Sequence, residues 1–277
     1  MGAAAKSGAV RGEVESRDGT RIAYEAAGDG PPVILVASAL ADRSDAARLA
    51  GLLAERHTVV NYDRRGRGAS GDTAPYAVER EIEDIAALIA HVGGSASLFG
   101  WSSGAVLALR AAAAGAPVDR LALYEPPFAV ADGAFAPPAG FAARVDALLA
   151  EGRPDAAVRY FMTAAQGMPA FAVAMMRLMP KAWRQMTAMA RTLPYDIAVM
   201  GGTQRGRPLD PAEWVGVSGP TLVLTGGKSP QGFHDAARAL VGVLADAEHR
   251  VLPGLNHGAV AMAPRRLVPA LTGFLAP

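Results

Sequence analysis

The chain contains no cysteine. That excludes disulfide frameworks, thiolate nucleophiles and cysteine-ligated zinc, and it leaves the redox compartment open. Charge of either sign is not in excess: 27 Lys and Arg face 26 Asp and Glu, a net charge of +1. Whole-chain electrostatics therefore give no reason to expect nucleic acid or an anionic membrane as partner. No apolar run reaches membrane-spanning length, and Met1 to Arg21, which holds Lys6, Arg11, Glu13 and Glu15, has no apolar segment of signal-peptide length. The expectation is a cytoplasmic protein with neither a membrane nor a nucleic-acid partner. Internal repeats are absent too, which sets solenoids aside.

What is present is apolar residues, 51% of 277, enough to build the core of a single α/β domain carrying an insertion. Glu13–Ser16 and Thr20–Tyr24 flank Arg17-Asp18-Gly19, and Asp-Gly between two such runs predicts an antiparallel hairpin. Short apolar runs of buried-strand length follow at Val33–Val36, Thr58–Tyr62, Ala96–Phe99, Leu121–Tyr124, Thr221–Leu224 and Arg250–Leu252. Helical patterns over 45–55, 79–91, 103–114, 235–244 and 265–274 separate them. This alternation predicts an α/β fold, a mostly parallel central sheet with helices on both faces. Between Phe128 and about Pro220 only helical patterns appear, over 141–151, 154–166, 171–179 and 181–192. The expected organisation is a core of residues 1–127 and 218–277, with a helical cap of residues 128–217 inserted after the sixth main strand.

Gly100-Trp101-Ser102-Ser103-Gly104 joins a strand-like run to the helical Ala105–Leu109. A serine framed by glycines at such a junction has the pattern of a nucleophile elbow, in which the serine tips a sharp turn and glycines remove colliding side chains. Ser102 is the candidate nucleophile. The backbone N–H of Ser103, at the helix start, is the natural oxyanion donor. Reactive groups in an open parallel sheet gather at the carboxyl ends of strands, and Ser102, Glu125 and His257 follow three such ends in the order serine, acid, histidine. Of five histidines, His57 and His249 begin strands, His91 ends a helix and His234 opens one. Only His257 sits in a glycine-containing loop, Pro253-Gly254-Leu255-Asn256-His257-Gly258, after the last strand.

With these residues in place, the chain resembles an α/β-hydrolase from about Val14 to Phe274. Asp63-Arg64-Arg65-Gly66-Arg67-Gly68-Ala69-Ser70 is similar to the D-x-R-G-x-G-x-S loop that follows the fourth strand of that family, where the arginines organise the turn. The resemblance implies an α/β-hydrolase fold, a lid between the sixth and seventh main strands, and His257 as the base. Relatives commonly carry an Asp after the seventh strand, where this chain has Ser229 in Thr225-Gly226-Gly227-Lys228-Ser229-Pro230. Some members carry the acid after the sixth strand, where Glu125 stands in Tyr124-Glu125-Pro126-Pro127. Glu125 is therefore the candidate acid; the alternatives are that Glu125 anchors the cap, that the enzyme runs on a Ser–His dyad, or that Asp235 is the acid. The common His-Gly after the third strand is replaced by Ala37-Ser38-Ala39-Leu40, which leaves the Ala39 N–H as the other oxyanion donor.

Eight of the ten methionines fall within Met162–Met200, and methionine suits adaptable apolar surfaces. Ser38, Leu40, Trp101, Phe161 and Trp183 are the candidate substrate contacts. Arg159, Arg177, Lys181, Arg184 and Arg191 lie between Ala156 and Tyr195 with no acid among them, a set that attracts a carboxylate, an acyl carrier or an acidic surface. The expected activity is hydrolysis of an ester, lactone or thioester of an apolar small molecule through an acyl-enzyme, without metal or cofactor. Alternatives are a lyase, cyclase or acyl transferase on the same frame, or a ligand-binding member that is catalytically impaired. An acyl carrier or a second copy of the chain are the candidate macromolecular partners. A serine nucleophile argues against the epoxide hydrolases and haloalkane dehalogenases of this fold, which use Asp. Gly226-Gly227-Lys228-Ser229 lacks the upstream glycine of a phosphate loop.

Overall fold

A computed structural model describes residues 8–276; residues 1–7, part of the stretch read above for a leader, lie outside them. Its strands are β1 (Val10–Glu15), β2 (Arg21–Ala27), β3 (Pro32–Val36), β4 (Thr58–Tyr62), β5 (Ala96–Trp101), β6 (Val118–Tyr124), β7 (Thr221–Gly226) and β8 (Ala247–Leu252). They form one sheet in the order β1-β2-β4-β3-β5-β6-β7-β8. Asp-Gly turns β1 back onto β2, β2 meets β4 antiparallel, and every later pairing is parallel. β5 is central and buried along its whole length, which puts its carboxyl end in the middle of the sheet edge.

The helices are α1 (Arg43–Leu53), α2 (Val78–His91), α3 (Ser103–Ala113), α4 (Phe141–Ala150), α5 (Pro154–Ala164), α6 (Ala170–Met176), α7 (Pro180–Met189), α8 (Leu193–Met200), α9 (Gln231–Val243), α10 (Ala259–Met262) and α11 (Pro264–Leu275). Asp42 opens α1 with a capping box completed by Asp45, satisfying two N–H groups that the helix itself cannot. α2, α3 and α9 close one face of the sheet and α1, α10 and α11 the other. α4 to α8 lie between β6 and β7, as a capped α/β-hydrolase architecture requires.

Three differences from the sequence reading have physical causes. β8 begins at Ala247, so His249 lies inside it and not at its start. No residue of this edge strand is fully buried, and its Glu248 and Arg250 break the apolar run a buried strand would show. β5 continues through Gly100 and Trp101, ending one residue before Ser102. α8 is a separate helix that the sequence reading ended at Thr192; Pro194 in its first turn marks the start.

The inserted stretch has its own apolar cluster, containing Phe141, Val145, Val158, Phe161 and Trp183. Leu40, from the loop after β3, belongs to the same cluster. The return path behaves differently: Val199, Met200, Leu209, Trp214 and Val217 pack into the core beneath α3.

Candidate active site

Ser102 has φ 54° and ψ −127°, a conformation that costs an L-residue about 1–3 kcal/mol and persists only where the surroundings enforce it. The two glycines show how. A Cβ at Gly100 would collide with the carbonyl of Gly104, and one at Gly104 would collide with the carbonyls of Val36 and Ala37. Gly104 therefore lets the loop after β3 lie directly against the start of α3. The Ser102 N–H donates to the Tyr124 carbonyl at 2.9 Å, tying the elbow to β6.

Glu125 leaves β6 with φ 51° and is fully buried. Its Oε1 accepts the Gly226 N–H at 2.7 Å, and its Oε2 lies 2.7 Å from His257 Nδ1. β6 sits beside β5, one strand nearer the nucleophile than β7, and the carboxylate crosses the end of β7 to reach the histidine. Gly226 keeps that crossing tight, because a Cβ there would meet the Leu255 backbone at 2.5 Å. A carboxylate offers only acceptors, so Nδ1 carries the proton and Nε2 accepts the Ser102 hydroxyl across 3.2 Å. Phe233 stacks on the imidazole at 4.7 Å between ring centroids, and the Tyr124 hydroxyl donates to the Asn256 carbonyl at 2.7 Å. Both hold the histidine loop in register.

The candidates fall into distinct places. Ser102, His257 and Glu125 form one hydrogen-bonded series, whereas Asp235 is exposed side-chain to side-chain with Arg238 and Gln231. Ser229 stands in the turn after β7, its hydroxyl buried without a hydrogen-bond partner. Ser103 opens α3, where its N–H has no carbonyl one turn back to bind. Ala39 and Leu40 border the cap cluster, with Leu40 at φ 56°. The Ser38 hydroxyl turns to the Ala39 carbonyl at 3.4 Å. Trp101 packs on Phe99 beneath the elbow. Phe161 and Trp183 are buried in the cap, the Trp183 indole N–H donating to Asp155 at 2.8 Å.

A residue that the sequence reading missed, Asp196 on α8, joins the cap to this machinery. Fully buried, it accepts from the Ser103 hydroxyl at 2.8 Å, from Arg64 at 2.8 Å and from Arg67 at 2.7 Å. Arg64 also donates to the Ala37 carbonyl at 3.1 Å, and Arg67 to the Ser38 carbonyl at 2.6 Å. Arg64 is held from the other side by both oxygens of Glu81. These arginines thus do more than organise their own turn: they clamp the loop bearing Ala39, and Asp196 balances their charge. Burial works against the Asp196 anion, but Arg67 and Arg64 prevail and hold its carboxyl below the usual carboxylate range. A lowered folded-state value means that its contribution is complete above the range of an unfolded carboxylate and is lost only as pH falls through the lowered value. The one sequence signal was an acid ending the acid-free stretch 156–195, in the first turn of a Pro-started helix.

Removing one partner of a buried ionic cluster costs about 3–5 kcal/mol, which lowers the melting midpoint of a chain this size by about 10 °C. Asp196→Asn is expected to show that loss, together with a fall in kcat of about tenfold or more at nearly constant KM. Ser103→Ala, which keeps the backbone N–H and both ion pairs, is expected to cost only about 1 kcal/mol. Thermal unfolding and steady-state rates on the two variants check this; equal effects would dissociate Asp196 from the loop.

A serine, a histidine and a buried carboxylate in hydrogen-bond series at the carboxyl edge of a parallel sheet form a Ser–His–acid triad on a capped α/β fold. The chain belongs to the alpha/beta hydrolase family, whose model matches residues 23–270. It is similar to a crystallised alpha/beta hydrolase from Sphaerobacter thermophilus, with 49% identity over 95% of this chain and 99% of that one, at a TM-score of 0.88. A hydrolase from Pseudomonas aeruginosa shares the fold at 21% identity, 96% and 98% coverage, and a TM-score of 0.72. A curated relative, the uncharacterized hydrolase YraK of Bacillus subtilis, is 38% identical over 95 residues, 33% of this chain and 35% of that protein. Among the described residues no helix is long and apolar enough to cross a membrane, and no group of side chains is arranged to hold a metal ion.

Proposed function

We propose that the protein is a serine hydrolase that cleaves an ester, lactone or thioester of an apolar small molecule. The observation that carries this reading is the continuous series from Glu125 through His257 to Ser102. Ser102 Oγ attacks the carbonyl carbon as His257 Nε2 takes its proton, and Glu125 stabilises the imidazolium that forms. The N–H groups of Ser103 and Ala39 receive the developing oxyanion. The proton on Nε2 passes to the leaving alkoxide or thiolate, and a water activated by the same nitrogen releases the acid from the acyl-enzyme. No step calls for a metal or cofactor.

The inserted residues 128–217 act as the lid over the core formed by 1–127 and 218–277. Leu40 belongs to both the oxyanion loop and the cap cluster, which supports an apolar acyl group packed between them, with Ser38, Trp101, Phe161 and Trp183 as supporting contacts. A cytoplasmic location is the reading that accompanies this chemistry, with an acyl carrier or a second copy as candidate partners.

A series of p-nitrophenyl esters of increasing acyl length, a lactone and a thioester tests the reaction, alongside a fluorophosphonate probe. Turnover that rises with acyl length, and labelling of one serine per chain, are the expected results. Silence toward every substrate and toward the probe, in protein that still binds an apolar ligand, would replace hydrolysis with lyase, cyclase or transferase chemistry.

A further inference from the structure

The near-neutral charge of the whole chain conceals an uneven cap surface. α6 is an outer cap helix, packed chiefly on α5 and α7. With its exit turn it presents Phe171, Met175, Leu178 and Met179 to solvent, at 73%, 60%, 71% and 55% exposure. Successive three-residue turns carry the winding on from Ala174 through Met179, so these side chains follow one another at helical spacing and share a side. Val173 is buried beneath them while Met168 and Met176 are half-buried, a pliable support. Soluble proteins rarely expose contiguous large apolar side chains unless something covers them.

Cations outnumber carboxylates on the rim of this patch. Arg159 and Arg177 share a single carboxylate, Asp155, at 3.3 Å and 3.6 Å. Lys181 and Arg184, both exposed on α7, add two further cations. We propose that this face docks on an anionic lipid surface, with Phe171, Met175, Leu178 and Met179 entering the acyl boundary and the cations meeting headgroup phosphates.

Charge and chemistry select that occupant. A two-fold contact between copies is isologous and would bring these same cations together. Pro169 to Lys181 contains no Ser, Thr, Asn, Gln, Asp or Glu, whereas a protein interface carries about one hydrogen bond per 100–200 Å². A lipid surface asks only for apolar insertion and cations at phosphate level. The absence of a membrane-spanning run, from which no membrane partner was expected, concerns crossing a bilayer and not lying on one. The proposal stands whether or not the triad turns over an ester.

Sedimentation of the full chain with sucrose-loaded vesicles tests it. Vesicles of about one-third phosphatidylglycerol in phosphatidylcholine should carry the protein down, and pure phosphatidylcholine or high salt should weaken binding about tenfold or more. Phe171→Ser with Leu178→Ser should lower partitioning about tenfold or more, and Lys181→Glu with Arg184→Glu to a similar degree. All four positions are exposed, so both double variants should keep the wild-type melting midpoint. Wild-type protein left in the supernatant, or variants that sediment like wild type, would overturn the proposal. A dimer in light scattering that the Phe171→Ser, Leu178→Ser variant lacks would overturn it in favour of a second copy. Saturable binding to an acidic acyl carrier protein, with none to vesicles, would do the same for a protein partner.

Discussion

Ser102→Ala is expected to lower kcat on an activated ester by about 10⁴-fold or more and to abolish fluorophosphonate labelling, while leaving the melting midpoint nearly unchanged. The methyl group replaces only the hydroxyl, and the enforced turn persists because Gly100 and Gly104 still admit the close backbone approaches that hold it. What disappears is the atom that bonds the carbonyl carbon. His257 and the N–H groups of Ser103 and Ala39 survive, so under the proposed mechanism a residual rate over water is expected from base action and oxyanion binding. Steady-state rates and mass spectrometry of probe-treated protein check this. Labelling that persists in the variant would place the nucleophile elsewhere.

The second large effect concerns the acid. Glu125→Gln keeps the shape and retains an oxygen for the Gly226 N–H, which in the native protein donates to Oε1. The amide then presents N–H groups to His257 Nδ1, in place of the carboxylate oxygen now 2.7 Å away. An amide donor is satisfied by an unprotonated Nδ1, which moves the imidazole proton to Nε2 and leaves no base for the Ser102 hydroxyl. The expected loss is about 10³–10⁴-fold in kcat with little change in KM, since the acyl group is bound before the histidine acts. Activity above about a tenth of wild type would remove Glu125 from the triad and return the question to a dyad.

Much of the site could be read from residue order because its parts are local. A glycine on each side of a serine, between an apolar run and a helical one, reports a turn whose constraints lie within five residues. The close backbone approaches at Gly100 and Gly104 are the ones such a turn implies. His257 was recognisable for a similar reason, as the one histidine in a loop following the last strand. The parallel runs were legible because buried strands are continuously apolar, and β8 was truncated because an edge strand is not.

Other parts depend on contacts between residues far apart in sequence. Asp196 lies 93 residues from Ser103 and 132 from Arg64; its place after an acid-free stretch sets it apart but does not say which residues it meets. Arg64 and Arg67 resembled turn-forming residues, and only packing reveals that they grip the Ala37 and Ser38 carbonyls. The Ala37-Ser38-Ala39-Leu40 departure is supported by this clamp, since the fixed carbonyls hold the loop where Gly104 lets it lie against α3.

The sequence by itself determined the layered fold, the elbow with Ser102 at its tip and the histidine loop, because each follows from local periodicity or from the conformations glycine permits. The tertiary structure alone decided which carboxylate meets His257 and that a cap acid, through Arg64 and Arg67, steadies the loop after β3. Glu125 and His257 are 132 residues apart, and their pairing arises because β6, β7 and β8 are parallel neighbours whose carboxyl ends come together only once the sheet has formed.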